Sequence, residues 1–203
     1  MRYIVFLMFA FVFNNTFAMQ KRVPVDFRTH IINKDADFVQ CLARIGQFIA
    51  SLELYREKVY PDMSQYSVGY GDGFLAKSIL SKGQNALPKG VKGMIIATDS
   101  MLDNIERIIF IEIPYLEKKS NVQFYKNCHE LIAITSRLYQ QGLPQFQQKK
   151  ITQMFAKHYN TCSIAQMWLK EMPHKHRAEC ELKYFTNGIK CKLQTYGAKC
   201  KMV

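Results

Sequence analysis

The order of apolar and polar positions predicts a mostly helical chain. From Asp35 onward, apolar residues recur every three or four positions, as expected for a helix that buries one face. The residues of this face are Phe38, Leu42, Ile45, Ile49 and Leu52. The pattern predicts a first helix that ends between Glu53 and Lys58.

The periodicity changes after this helix. Residues 59–75 combine tyrosines, glycines and short alternation, which predicts a hairpin or small β-lobe. Pro88, Gly90 and Gly93 then predict a loop. The run Thr98-Asp99-Ser100 offers a helix N-cap, so we expect a helix over 101–116 that Pro114 kinks or shortens.

The second half predicts further helices. Residues 121–141 form a strong helical run that Gly142 and Pro144 should end. Shorter helices are expected over 146–159, 164–170 and 176–185. The predicted class is therefore α+β and predominantly helical, with a small β-lobe and a larger helical lobe.

The N-terminus predicts export. A positive start at Met1-Arg2 precedes an apolar run over 3–13, and Thr16-Phe17-Ala18 offers a small-x-small cleavage site. The apolar run is too short to span a bilayer stably. We expect a signal peptide over 1–18, cleaved after Ala18, and a secreted or periplasmic protein; the alternative is an uncleaved anchor ending at Asn14-Asn15. An extended leader over 19–34, one domain over 35–188 and a basic, cysteine-containing tail over 189–203 should follow.

The formal net charge of +12 indicates an anionic partner such as a cell wall or membrane surface. The cations are scattered, and no basic run alternates with aromatic residues, so nucleic acid is not an expected partner. We expect peripheral contact with an anionic cell surface.

Six cysteines in an exported chain favour disulfides, although six cysteines allow fifteen pairings. Cys191 and Cys200 flank a turn-like segment and could close a small loop. Cys41 and Cys128 lie inside helical patterns, so buried thiols are the alternative there. The sequence contains no Cys-x-x-Cys pair, so a metal site is not predicted.

Two carboxylates and a hydroxyl follow the first helix in close succession. Glu53 lies where a helix dipole and the apolar neighbours Leu52 and Leu54 disfavour a charged carboxylate, which suits a general acid. Asp62 follows Pro61 in a predicted turn, where solvent can keep it ionised.

Such an acid and an ionised carboxylate are the groups needed to hydrolyse a glycosidic bond, and Ser67 could hold the attacking water. Glu57 competes with Glu53 for the acid role. Each residue also has an ordinary interpretation, as a solvated helix-end Glu, a turn Asp and a strand Ser.

The segment Glu53-x-x-Arg56-x-x-x-Tyr60-x-Asp62, followed by Ser67-Val68-Gly69-Tyr70-Gly71, resembles the active-site signature of phage-type lysozymes, glycoside hydrolase family 24. That family has Glu-Gly-x-Arg, x-x-x-Tyr-x-Asp and Thr-Ile-Gly-Tyr-Gly-His. Residues 133–142 resemble its central helix, Ala-Leu-x-Ser-Phe-x-Phe-Asn/Gln-x-Gly. Arg177-x-x-x-Glu181-x-x-x-Phe185 resembles its closing helix, with Trp168 before it. The matches occur in the family's order.

The resemblance implies a lysozyme-like fold and a muramidase that cleaves the β-1,4 bond between N-acetylmuramic acid and N-acetylglucosamine. Glu53 would be the general acid, and Asp62 and Ser67 would position and activate the water. Tyr70 and Gln140 would contact substrate. Peptidoglycan is the implied partner, no metal or cofactor is required, and a monomer is expected.

The chain departs from the family pattern at four points. Ser67 replaces threonine, and the step from Asp62 to Ser67 is one residue shorter than usual. Asp72 replaces a histidine that supports structure in the family, and Leu54 replaces a glycine. These departures keep a second hypothesis open, a non-catalytic glycan-binding or secreted toxin-like protein of lysozyme fold.

Other features point less clearly to function. His129 and Glu130 adjoin on a helix and point apart, so a ligand pair is not expected. Tyr55, Tyr60, Tyr66 and Tyr70 could stack on sugar rings or pack in the core of the β-lobe. Membrane disruption by a cationic helix is disfavoured, since residues 101–116 carry three carboxylates.

Overall fold

The structure is a computed structural model that describes residues 35–62, 65–172, 174–187 and 189–193. Helices dominate, and the strands named among these residues form one two-stranded antiparallel sheet. The predicted class, predominantly helical α+β with a small β-lobe, is confirmed. The signal peptide, the leader and residues 194–203 of the tail lie outside the described residues. The chain divides into two compact units, the first ending at Ile105 and the second beginning at Glu106.

The first unit begins with helix α1, Asp35–Glu53. Its buried residues include Cys41, Ile45, Phe48 and Ile49, which recur at helical spacing and explain why this segment folds as a helix. The helix ends at Glu53, so the sequence prediction for this element is confirmed.

A β-hairpin follows, with β1 at Arg56–Asp62 and β2 at Gln65–Gly69. Tyr60 lies opposite Ser67, and Asp62 lies opposite Gln65. Because facing residues and residues two apart point to the same side of a strand pair, these four side chains share one face. We call this the hairpin face.

The loop after the hairpin extends the β-lobe. The amide of Val59 donates to the carbonyl of Asn85 at 2.9 Å, and the amide of Leu87 donates to the carbonyl of Glu57 at 2.9 Å. The exposed edge of β1 is therefore partly covered by loop backbone.

Helix α2, Gly73–Ser81, was not predicted. Its N-cap is Asp72, whose carboxylate accepts a hydrogen bond from the amide of Leu75 at 2.9 Å. The predicted β-lobe over 59–75 is therefore correct through Gly69 and wrong where α2 begins. The glycines on either side of Asp72 resembled hairpin residues and concealed the cap.

Helix α3, Val91–Arg107, begins ten residues before the predicted start at 101. Thr98-Asp99-Ser100 lies inside the helix and caps nothing, and Gly93 is helical rather than part of a loop. A Cβ at Gly93 would lie 2.0 Å from the carbonyl oxygen of Pro88, so close packing explains this glycine.

A hydrophobic core joins the hairpin to α2, α3 and the loop between these helices. Its buried members come from β2, α2, the loop and α3, and α3 packs closely on the hairpin. The members are Val68, Ala76, Ile79, Leu87 and Ala97. A Cβ at Gly69 would lie only 2.7 Å from the Cβ of Ala97, so β2 and α3 touch where only glycine fits.

The second unit begins with the last two residues of α3, which are followed by a π-helical turn, Ile108–Glu112, and by α4, Ile113–Ser120. The wider turn precedes Pro114, which cannot donate a helical hydrogen bond. The predicted helix over 101–116 is therefore interrupted before Pro114, but its second part continues to Ser120.

Helix α5, Cys128–Gln141, ends at Gly142 as predicted. Its predicted start at Asn121 is wrong, because Asn121 ends α4 in a left-handed conformation and Asn127 caps α5. Pro144, which was predicted to stop this helix together with Gly142, also lies in the first turn of the next helix, α6, Leu143–Gln148.

Three helices complete the unit. They are α7 at Lys150–Ala156, α8 at Thr161–Glu171 and α9 at Lys175–Thr186. The last two match the predicted segments closely, and the predicted helix over 146–159 is divided between α6 and α7.

A disulfide joins Cys162 to Cys191. A Cys191–Cys200 loop is therefore excluded, because Cys191 is already paired. Cys41 and Cys128 are also disulfide-bonded, so the buried-thiol alternative for them is wrong. These bonds are compatible with an extracytoplasmic location. Within the described residues, no helix combines the length and the hydropathy that crossing a membrane requires.

Candidate active site

Glu53 is the last residue of α1 and is half-buried. Its carboxylate lies against Gly71, where an added Cβ would approach Oε2 to 3.0 Å. Gly71 also has a φ of +81°, a conformation that favours glycine. The turn after β2 and the end of α1 therefore place Glu53 beside the hairpin.

Leu54 begins the reversal from α1 into β1. Its φ is +52°, and 66% of the residue is exposed. A left-handed conformation costs a residue other than glycine about 1–2 kcal/mol. This explains why a glycine suits the position after Glu53, and it shows that the chain carries local strain next to this carboxylate.

Asp62 and Ser67 form the polar centre of the hairpin face. The Ser67 hydroxyl donates to Asp62 Oδ2 at 3.1 Å. Ser67 is buried, whereas Asp62 is half-exposed and can still accept hydrogen bonds from water. The shortened step between them therefore leaves the hydroxyl within reach of the carboxylate.

Tyr60 connects this pair electrostatically to Glu53. Burial raises the pKa of Tyr60, and the negative charges of Asp62 and then Glu53 raise it further. The nearby Arg56 guanidinium, 4.4 Å from the ring centroid, acts in the opposite direction. The structure thus joins Ser67 to Asp62 by a hydrogen bond, and the charge of Glu53 acts on the phenol of Tyr60, which lies opposite Ser67 across the hairpin.

The sequence placed Tyr60 in the motif and suggested sugar stacking or core packing for it, but it did not suggest a contact with Ser67. The signal that could have identified it was the hairpin register, which pairs it with Ser67. Glu57, the competing acid, instead contributes to raising the pKa of Tyr55, after burial. The two candidates for the acid role therefore lie on different elements, Glu53 at the end of α1 and Glu57 in β1.

The Asp72 carboxylate has a structural role. It is buried, and its Oδ2 accepts hydrogen bonds from Ser100 at 2.5 Å and from Asn104 at 2.8 Å, while its Oδ1 caps α2. One carboxylate thus joins the turn after β2 to helices α2 and α3. Asp72 stands where the phage-type lysozymes that the sequence resembles have a histidine, and it likewise supports structure.

The two predicted substrate contacts lie in different units. Tyr70 is half-buried, its ring centroid is 5.7 Å from that of Tyr55, and it packs on the core of the first unit. Gln140 lies in α5 of the second unit, and its Oε1 is buried without a hydrogen-bond partner among the described residues. Substrate contact by either residue stays a prediction.

The motif residues of the second unit form a buried network around Glu181. Glu181 Oε1 accepts from Ser136 Oγ at 2.8 Å and from Arg177 Nε at 3.0 Å, and Oε2 accepts from Trp168 Nε1 at 2.9 Å. Both oxygens are engaged by protein donors. This carboxylate therefore holds α5, α8 and α9 together.

The described residues contain no group of three or more His, Cys, Asp or Glu side chains that could hold a metal ion. The hairpin face offers a half-exposed carboxylate and a hydroxyl bonded to it, and the half-buried carboxyl of Glu53 lies at the end of α1. Such an arrangement can donate a proton and orient a water molecule.

Comparison with known proteins gives little sequence similarity. No protein-family model and no curated protein sequence matches the chain. Among solved structures, the muramidase domain of SpmX from Asticaccaulis excentricus is similar, with 17% sequence identity and a TM-score of 0.49 over 70% of this chain and 93% of that one.

Proposed function

We propose that the chain is an exported peptidoglycan hydrolase of lysozyme type, a muramidase. It cleaves the β-1,4 bond between N-acetylmuramic acid and N-acetylglucosamine, as the resemblance of its sequence to glycoside hydrolase family 24 suggests. Glu53 is the general acid, and Asp62 and Ser67 are the groups that bind and activate the attacking water.

In the proposed reaction, the Glu53 carboxyl gives its proton to the glycosidic oxygen as the bond to the sugar carbon breaks. Positive charge develops on the sugar ring, and the Asp62 carboxylate stabilises it. Water attacks the same carbon, its proton passes to Asp62, and the Ser67 hydroxyl keeps that water in line. No metal or cofactor takes part in these steps.

The observation that carries the proposal is the hydrogen bond of Ser67 to Asp62 on a face that Glu53 also reaches electrostatically. Water activation requires a carboxylate with free accepting capacity, and the half-exposed Asp62 retains it. The strained residue after Glu53 also supports a functional site, because such strain concentrates where geometry serves chemistry.

The test is release of reducing sugar from peptidoglycan by oxidised protein spanning residues 19–203. Glu53→Gln should lower the rate at least about 100-fold, because the amide cannot donate the acid's proton. Glu57→Gln, an equally isosteric change in the same unit, should stay near the wild-type rate.

Equal release by wild type and Glu53→Gln would refute the assignment of Glu53. Retention of the wild type on peptidoglycan without any release would support the non-catalytic glycan-binding hypothesis instead. Unchanged melting temperatures of both variants exclude misfolding as the cause of a lost rate.

A further inference from the structure

Helix α2 carries large apolar residues on its outward side. Phe74 is 73% exposed and Leu80 is 40% exposed, whereas Ala76 and Ile79 on the opposite side are buried. Lys77 is exposed and falls between Phe74 and Leu80 on the helix surface. The outward side of α2 is therefore both apolar and cationic, unlike an ordinary solvated helix face.

A groove of about 460 Å³ runs along this side of α2 and is bordered by β2. Its lining residues are Gln65, Tyr66, Gly73, Lys77, Leu80 and Ser81. Tyr66 is 56% exposed and supplies an aromatic ring with a polar tip. We call Tyr66, Phe74, Lys77 and Leu80 the α2 face.

The chain segment that forms α2 and continues into α3 carries charge of one sign. Residues 73–98 contain four lysines and no carboxylate, although the chain has 16 acidic residues. Each of these lysines is exposed: Lys77, Lys82, Lys89 and Lys92. This segment attracts anions, because it contains no carboxylate that would neutralise its lysines.

We propose that the α2 face docks on an anionic lipid surface. Lysines near such a surface are attracted to anionic headgroups, while exposed aromatic and aliphatic side chains enter the boundary between headgroups and acyl chains. A polyanionic wall polymer would satisfy the lysines but would offer no apolar environment to the exposed Leu80. The combined apolar and cationic character therefore favours lipid over polymer.

The proposal places the bilayer next to the hairpin. Gln65 lines the groove and also lies on the hairpin face opposite Asp62. A docked molecule would therefore hold its hairpin face close to the lipid surface. This inference goes beyond the proposed function, since docking does not require hydrolysis.

Co-sedimentation with vesicles tests the docking. Protein spanning residues 19–203 should bind vesicles of phosphatidylglycerol and phosphatidylcholine, and much less to phosphatidylcholine alone. Lys77→Gln combined with Leu80→Ser should weaken partitioning at least about tenfold, since both the charge and the inserted side chain contribute. Added salt should weaken binding because it screens the lysines.

The matched control is Lys118→Gln combined with Ile111→Ser in the second unit. It also removes one exposed cation and one exposed apolar side chain, and Ile111 is 64% exposed. This control should bind vesicles like the wild type. Phe74→Ser serves as an independent second variant and should also weaken binding.

Three results would overturn the proposal: no preference for anionic vesicles, equal losses in the site and control variants, or wild-type binding by both site variants. If the wild type does not bind vesicles but binds isolated peptidoglycan through the same lysines, the α2 face contacts a wall polymer instead of lipid. Measuring wall binding on a Glu53→Gln background keeps the polymer intact. Vesicle binding is independent of hydrolysis, so failure of either proposal leaves the other testable.

Discussion

Two carboxylate sites, one in each unit, show how differently the same chemical group can be used. On the hairpin face, Asp62 is half-exposed and accepts one hydrogen bond from Ser67. In the second unit, Glu181 is fully buried and accepts from Ser136, Arg177 and Trp168. Asp62 can still accept hydrogen bonds from a ligand, whereas both carboxylate oxygens of Glu181 already accept hydrogen bonds from the protein.

This difference shows that the role of a carboxylate in a family motif, catalytic or structural, follows from its exposure to solvent and from how many further hydrogen bonds it can accept. Residues 53–67 and 177–185 both lie in segments that resemble motifs of family 24 lysozymes. The first set is arranged for chemistry under our proposal, while the second supports packing of α5, α8 and α9. Substitutions in the two regions should therefore affect different measurements.

The largest effect on stability is expected for Glu181→Ala. The change leaves the Arg177 charge buried and removes the acceptor of Ser136 and Trp168, so we expect a loss of about 3–5 kcal/mol in the free energy of unfolding. Denaturant unfolding of this variant beside Lys183→Ala, an exposed change in the same helix, measures it. A loss no larger than that of Lys183→Ala would contradict the structural assignment.

Asp72→Ala sharpens the comparison within the first unit. It removes the α2 cap and the acceptor of Ser100 and Asn104, which should lower the free energy of unfolding by about 2–3 kcal/mol. Below its lowered melting temperature, the variant should keep most of its hydrolytic rate. A rate loss as deep as that of Glu53→Gln in folded protein would assign Asp72 to the chemistry instead.

The ends of two helices give the smallest expected effect. Leu54 and Asn187 both have a positive φ, +52° and +41°, but asparagine tolerates this conformation and leucine does not. Leu54→Gly should stabilise the protein by about 1 kcal/mol, and Asn187→Gly by only a few tenths. Thermal unfolding of both variants measures the difference, and equal shifts would show that Leu54 is not strained.

The sequence predicted the elements whose signals are local. The buried face of α1 recurs at helical spacing, and Gly142 ends α5, so both were found without tertiary information. Glu53, Asp62 and Ser67 were selected by spacing and resemblance, and the hairpin register explains how a five-residue step joins the last two.

The rest depended on contacts between distant positions. Asp72 functions through Ser100 and Asn104, 28 and 32 residues away, and nothing local distinguished its cap from a turn. Gly93 suggested a loop, because the feature that requires glycine there, the close approach of the Pro88 carbonyl oxygen, arises from tertiary packing. The Cys162–Cys191 pair likewise spans 29 residues, beyond any local pattern.

The most direct test of the central claim is a double-mutant cycle on the hairpin face. Turnover of peptidoglycan would be measured for Ser67→Ala, Asp62→Asn and the double variant, with melting temperatures as a check on folding. If the two groups activate one water as a unit, each single change should lower turnover by about 10- to 100-fold, and the double variant should be no slower than the slower single variant. Losses that multiply in the double variant, or turnover that neither change affects, would contradict the account.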